Sequence, residues 1–225
     1  MINKTKIFIL LLCVTFTYNH LKSVAYGQTV AEKLGCPECH RFSANENEKK
    51  RKAPDLFFSG DKFQKKWLIE FLQKPEVVRP GGFILDPDFL LGSKLQKHQT
   101  VSAEEAIKLT ELLIKLTLKE SSKGIIDNIP ISKGEKAKFK FKFERTYGCT
   151  ACHQAINLAR QPRGGISGPS LINAGNRLQG DWIYDKLKHP RKYEPQGRMP
   201  IFKIPEKDFI SLTKYLLIQK KENIR

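Results

Sequence analysis

The pentad Cys-x-x-Cys-His occurs twice, as Cys36-Pro37-Glu38-Cys39-His40 and as Cys149-Thr150-Ala151-Cys152-His153. It constrains the fold more than any other feature, because aligning the two copies lays the rest of the chain over itself. The offset is 113 at the pentads. It becomes 115 for Pro54/Pro169, Leu56/Leu171, Gly60/Gly175, Trp67/Trp182, Pro75/Pro190, Pro80/Pro195 and Gly82/Gly197. Over Val101/Ile204 and Leu109/Leu212 it falls to 103. Self-similarity on this scale predicts two units of one architecture in tandem. The first unit carries 12 extra residues between Gly82 and Val101, the interval in which the second keeps Met199.

Apolar periodicity makes both units helical. A short helix over Thr29 to Gly35 leads into the first pentad, and Ser43 to Lys52 reads as a polar loop. Lys62 to Lys74 places Phe63, Trp67, Leu68, Phe71 and Leu72 on one side before Pro75 stops it. Ser102-Ala103-Glu104-Glu105 is a capping-box start for a helix to about Lys119, burying Ala106, Leu109, Leu113 and Leu116. Glu120 to Lys133, with its Ser, Gly, Pro and Asn, reads as the linker. Lys138 to Phe143 alternates as a strand does, yet Phe139, Phe143 and Tyr147 also share a helical face, and its place ahead of a pentad selects the helix. Further helices are expected over Asp181 to Lys188, with Trp182, Ile183 and Leu187 inward, and from about Pro205 to Lys221, with Phe209, Leu212, Leu216 and Leu217 inward.

The first 27 residues have the layout of a secretory signal. Lys4 and Lys6 precede an apolar run from Ile7 to Val14, too short for a span of roughly 20 residues. Ala25-Tyr26-Gly27 is a small-x-small end, which places cleavage after Gly27, with Ala25 and an uncleaved anchor as alternatives. Loss of Lys4, Lys6 and Lys22 takes the net charge from +17 to +14. Cys13 leaves with this segment, and the other four cysteines all belong to the pentads, so no thiol remains for a disulfide.

A zinc site would need further Cys or His ligands at sensible spacing, and a redox dithiol would sit in a βαβ pattern that is not visible here. The pentads are instead read as c-type haem attachment sites. Two thiols three positions apart each form a thioether with one vinyl group, and the adjoining histidine reaches the iron. Gly197-Arg198-Met199-Pro200 offers a thioether for the opposite axial position.

Gly148 to His153, Gly168-Pro169-Ser170-Leu171, Gly175-Asn176-Arg177-Leu178, Trp182, Pro190 and Pro195 to Pro200 resemble a class I cytochrome c domain over nearly all of the second half. The first half resembles it through its pentad, Ala53-Pro54-Asp55-Leu56, Trp67 and Pro75. The tandem is similar to the dihaem cytochromes called cytochrome c4. The resemblance implies an all-α chain of two tandem class I cytochrome c domains, each wrapped around one of two covalently attached haem c groups. Residues 1–27 would be the signal, 28–120 the first domain, 121–133 the linker and 134–225 the second. His153 and Met199 would ligate the second iron and His40 the first. Basic residues such as Arg177 and Lys62 would lie near haem carboxylates.

The chain departs from that family in one respect. Its only methionines are Met1 and Met199, so the first iron has no local methionine. Of five histidines, only His98 is unassigned in the first half. His40/His98 ligation is therefore expected, with Lys97, Lys94 or an open iron as alternatives. Trp67 and Trp182 read as core or haem-wall residues, and Tyr193 as lining the second pocket or making an ordinary loop contact. The implied function is periplasmic electron transfer between respiratory redox partners, a carrier rather than an enzyme. An open first iron that binds or reduces a small ligand, or a fixed subunit of a membrane respiratory complex, are the alternatives. The basic surface suits a redox partner with an acidic docking face, and an exported haem protein is not expected to bind nucleic acid.

Overall fold

The computed structural model describes residues 27–48, 52–82, 90 and 97–225. The helices come as two sets in the same order. In the first half, α1 (residues 27–33) runs through Gly35 into a 3-10 turn at Cys36–Glu38. Next come α2 (Ser59–Lys62), α3 (Lys65–Gln73) and α4 (Ala103–Leu113). In the second half, α5 (Lys133–Phe141) runs through a π turn, Lys142–Thr146, and Gly148 into a 3-10 turn at Cys149–Ala151. α6 (Ala174–Arg177), α7 (Gly180–Lys188), α8 (Pro190–Tyr193) and α9 (Glu206–Leu217) complete it. α6 and α7 fall on α2 and α3 at the 115 offset, and α9 on α4 at 103, so the repeat in sequence is a repeat in structure.

The chain is mostly helical, with one departure from an all-α expectation. β1 (Ala155–Ile156) pairs antiparallel with β2 (Pro162–Arg163). Ala155 and Ile156 are buried, and their backbone groups need partners there. The Lys138–Phe143 segment is helical as its second periodicity requires: Phe139 and Phe143 are buried, while Phe141 faces out at 64% exposure.

Three helices after the first pentad break or end short of expectation, each because of a contact made elsewhere in the chain. The helix expected from Lys62 to Lys74 is two helices. Phe63 leaves the helix to form an antiparallel bridge with Leu178, and the Gln64 N–H donates to the Arg177 carbonyl at 2.9 Å. α4 ends at Leu113, not near Lys119. The Gly60 N–H takes the Leu116 carbonyl at 2.8 Å, and the Asp61 carboxylate accepts from the Leu118 N–H at 2.7 Å. α9 stops at Leu217 for the same reason, since the Gly175 N–H takes the Gln219 carbonyl at 2.8 Å. Gly60 and Gly175 leave no room for a side chain, since a Cβ would stand 2.2 Å from the Ile114 carbonyl oxygen and 1.8 Å from that of Leu217.

The linker is tied down. Backbone N–H groups of Gly124, Ile125 and Ile126 converge on the Asp181 carboxylate, at 2.6, 3.0 and 2.9 Å. At the other end of the chain, Gly27 is buried against α4. A Cβ there would stand 2.6 Å from the Lys108 carbonyl, so α1 begins earlier than Thr29. The proposed signal otherwise lies outside the described residues. Among the described residues, no helix is long and apolar enough to cross a membrane.

Apolar burial supplies the main drive for each half. The second half has one continuous core, built from Phe139, Phe143, Ile183, Leu187, Phe209, Leu212, Tyr215 and their neighbours. The first half divides into two smaller clusters. One joins α1, α3 and α4 through Val30, Leu72 and Leu109; the other is centred on Trp67. Phe63 packs against the cores of both halves.

Candidate metal centres

Both pentads enter the same local geometry. Gly35 at φ 68° and Gly148 at φ 61° sit in the left-handed region, which a glycine adopts without steric cost. Each then turns so that the histidine N–H donates to the first cysteine carbonyl, at 3.0 Å in both halves. His40 Nδ1 lies 2.6 Å from the Pro54 carbonyl, and His153 Nδ1 lies 2.7 Å from the Pro169 carbonyl. A carbonyl can only accept, so both rings carry their proton on Nδ1 and keep a lone pair on Nε2. This is how a metal-bound histidine is oriented by its outer hydrogen bond. The loop carrying Pro169 is pressed onto the ring: a Cβ on Gly168 would come within 2.5 Å of His153 Cε1. Burial lowers the basicity of both imidazoles, which favours the neutral, ligating form.

The four thiols are unpaired. Burial raises Cys36 and pushes Cys149 up to about 11. Reactive dithiols and thiolate cages need the opposite, a thiol that ionises readily. Among the described residues, no three His, Cys, Asp or Glu side chains group as an all-protein metal site requires.

The distal candidates fall in different settings. Met199 is half-buried against the second-half core, the cluster onto which Cys149 also packs. Lys97 is exposed, and Lys94 lies outside the described residues. His98 comes back to the first pentad. Its ring centroid stands 6.1 Å from that of His40, with Phe71 packed at 5.1 Å on it. His98 Nδ1 lies 2.8 Å from the Gln99 carbonyl, so its Nε2 is also left with the lone pair.

Where the halves meet, the contacts are reciprocal. The Gln64 N–H donates to the Arg177 carbonyl and the Gln179 N–H to the Lys62 carbonyl, both at 2.9 Å. The Gln64 amide reaches the Gly175 and Leu178 carbonyls, at 2.9 and 3.0 Å. Gln179 does the same to Gly60 and Phe63, at 2.6 and 2.9 Å. Beside this clasp lie the two basic residues singled out from the sequence. The Lys62 ammonium stands over the rings of Phe63, Trp182 and Phe58, at 4.7, 5.0 and 5.7 Å, rather than against a carboxylate. Burial, then Arg177, bring it down to about 7. Arg177 is 3% exposed, held by the Ser170 carbonyl at 2.8 Å and lowered by burial to about 10. The Trp182 Nε1–H is buried with no acceptor. The buried Arg177 and the Trp182 Nε1–H thus gather beside the half-buried Lys62, on which Arg177, Lys186 and Arg79 act as cations and Glu194 as an anion.

Tyr193 closes α8 and is buried, with its ring 5.5 Å from that of Trp182. It packs on Phe58 of the other half at 5.0 Å and donates to Asp185 at 2.6 Å. Sequence reasoning did not single out Gln64 and Gln179. The 115 offset pairs them, and that was the available signal. Compared with protein-family profiles, with curated proteins and with solved structures, the chain matches none.

Proposed function

We propose that the chain is an exported electron carrier holding two covalent haem c groups, one in each half. One observation carries this reading. Two cysteine pairs fold into the same turn, each followed by a histidine whose Nδ1 is committed to a proline carbonyl. Bound haem supplies a one-electron centre, and the protein supplies ligands, burial and a docking surface. Cys36 and Cys39, and Cys149 and Cys152, would form the thioethers. His40 and His153 would offer Nε2 to the iron. His98 would be the further ligand in the first half, and Met199 in the second. Lys62, Arg177 and the Trp182 Nε1–H would receive haem carboxylates at the seam, where the Trp182 Nε1–H has no acceptor of its own.

A thioether ligand raises a haem potential relative to imidazole, so the first half is the lower-potential site. Exposed Lys133, Lys136, Lys138 and Arg145 flank the exposed Phe141 in sequence just ahead of the second pentad. A cationic surface with an apolar centre supports docking to an acidic redox protein there. The burial of Gly27 supports export with cleavage after Ala25 rather than after Gly27, since the later cut would remove a packed residue.

The test is a pyridine haemochrome assay on the exported protein, followed by ferric and CO-difference spectra. Two haem c per chain, both low-spin and neither binding CO readily, are expected. No covalent haem would end the proposal. A high-spin first site that takes up CO would remove His98 from it.

A further inference from the structure

The loop that orients His153 is fastened by the other half of the chain. Residues 166–173 carry Pro169, whose carbonyl lies 2.7 Å from His153 Nδ1. Residues 76–82 of the first half run along this loop. The Ser170 N–H donates to the Val78 carbonyl at 2.7 Å, and the Gly81 N–H to the Ile166 carbonyl at 3.0 Å. Gly81 has to be small, since a Cβ would stand 2.5 Å from the Ile166 carbonyl oxygen. A second hold reaches the other side of Ser170. Asn173 Nδ2 donates to Glu76 at 2.6 Å, Asn173 Oδ1 accepts from Arg177 at 3.4 Å, and Arg177 donates to the Ser170 carbonyl at 2.8 Å. The Trp67 ring of the first half stands 6.0 Å from the same guanidinium. Ser170, Asn173 and Arg177 are all buried.

The first half braces its own loop. His40 Nδ1 meets the Pro54 carbonyl, and the residue after Pro54 is Asp55. Arg41, the residue after His40, donates twice to the Asp55 carboxylate, at 2.8 and 2.6 Å. This ion pair ties the histidine to its proline loop within one half. The equivalent residues of the second half are Gln154, at the 113 offset, and Ser170, at the 115 offset. Both are neutral and cannot form an ion pair. The backbone ties around the two loops are otherwise alike. The Ala53 and Gly168 N–H groups donate to the Cys39 and Cys152 carbonyls at 3.0 and 2.7 Å, and the Leu56 and Leu171 N–H groups to the Arg41 and Gln154 carbonyls at 2.9 and 2.8 Å. The difference is confined to the residue after the proline, held by a side-chain pair of its own half at Asp55 and by the other half at Ser170.

We propose that residues 76–82 are a positioning element for His153, supplied by the first half where the second lacks the Arg41–Asp55 brace. Val78 acts on Ser170 directly, and Glu76 acts through Asn173 and Arg177. The hydrogen bond to the outer nitrogen of a histidine ligand sets the orientation of its ring. The first half therefore decides where His153 Nε2 points, and the second site is complete only while the halves are docked. Loosening of the seam reaches His153 before it reaches His40. This inference rests on the reading of His153 as an iron ligand.

The test is hydrogen exchange of the intact, reduced protein, followed by NMR at the ring Nδ1–H of His153 and His40 and at the backbone of α9, with Glu76→Ala, Glu76→Gln and Gly81→Ala. Glu76→Ala and Gly81→Ala should each speed exchange of the His153 ring proton roughly tenfold, the scale of one lost hydrogen bond to a charged group. His40 and α9 should keep their rates, because the opening is local. Glu76→Gln loses the charge opposite Lys221, which pairs with Glu76 at 2.8 Å, and keeps an acceptor for Asn173, so it should exchange as the unaltered protein does. Unchanged His153 exchange in both Glu76→Ala and Gly81→Ala overturns the inference. So does an equal rise in α9, which would make the strap general packing for the second half. Exchange in Glu76→Gln as fast as in Glu76→Ala also overturns it, since the link would then run through Lys221 and not through Asn173. A chain without covalent haem ends the dihaem reading alone, and the ring exchange of that chain still decides whether the strap positions His153.

Discussion

The two halves share a backbone plan and differ in what surrounds the repeated pentad. The second has one continuous core, a methionine half-buried against it and cations around His153. The first has a divided core, a second histidine 6.1 Å from His40 and a buried aspartate where the second has serine. The lesson is that a duplicated unit can keep a local motif while what packs around it diverges. The motif is five consecutive residues. Its surroundings depend on a loop, and loops accept insertions far more readily than packed helices.

The sharpest way to break this comparison is to give both sites the same distal donor. His98→Met should raise the first-site potential by a sizeable share of the roughly 0.8 V that axial ligands span. His98→Ala should leave that iron high-spin and open to CO. Unchanged spectra of the reduced first site in either variant would remove His98 as a ligand.

Next in size is Gly168→Ala. The added methyl meets the His153 ring, so the second half should lose about 1–3 kcal/mol of stability, as overpacked sites do, while the first half is untouched. Chemical denaturation followed by a probe placed in each half would check it. Equal loss in both halves would mean that the halves unfold as one unit.

A smaller effect is expected at the clasp. Gln64→Ala and Gln179→Ala each remove side-chain donors to two carbonyls, at about 1 kcal/mol per hydrogen bond. The two substitutions should not add, because both act on the Phe63–Leu178 bridge. Proteolysis within the linker should quicken in both variants. Additive effects would show the two glutamines to be independent.

The least effect at neutral pH, and a growing one in acid, concerns the carboxylates. Burial alone would raise Asp208 and Asp185. Lys142 and Tyr147 on the one, and Lys192 and Tyr193 on the other, more than reverse this and hold both below the usual 3.8. A depressed carboxylate contributes stability that is present above its unfolded pKa and lost as pH falls through its folded one. The contacts of α5 and α8 with α9 and α7 should therefore loosen below about pH 4. In the first half, the carboxylate held low is Glu105 in the capping box, a contact local to one helix. Hydrogen exchange at pH 3 and pH 6 should show greater relative loss of protection in α9 than in α4.

Much of this plan was legible in the residues. The pentads, the offsets, the capping box at Ser102 and the face shared by Phe139 and Phe143 are local patterns, and local patterns survive translation into structure. The missed helix ends were not local. Phe63 and Gln64 leave their helix for Leu178 and Arg177, more than a hundred residues away, and Leu116 and Gln219 turn aside to meet glycine N–H groups. No window along the chain contains both partners.

The same division applies to the candidate sites. The sequence by itself determined the two cysteine pairs, their histidines, and the absence of a methionine from the first half, because these are matters of residue identity and count. Only the tertiary structure decided that His98 returns to His40, that Lys62 and Arg177 share a seam, and that Gln64 and Gln179 clasp the two halves together. Those are distances between residues far apart in the chain, and they are set by how helices pack.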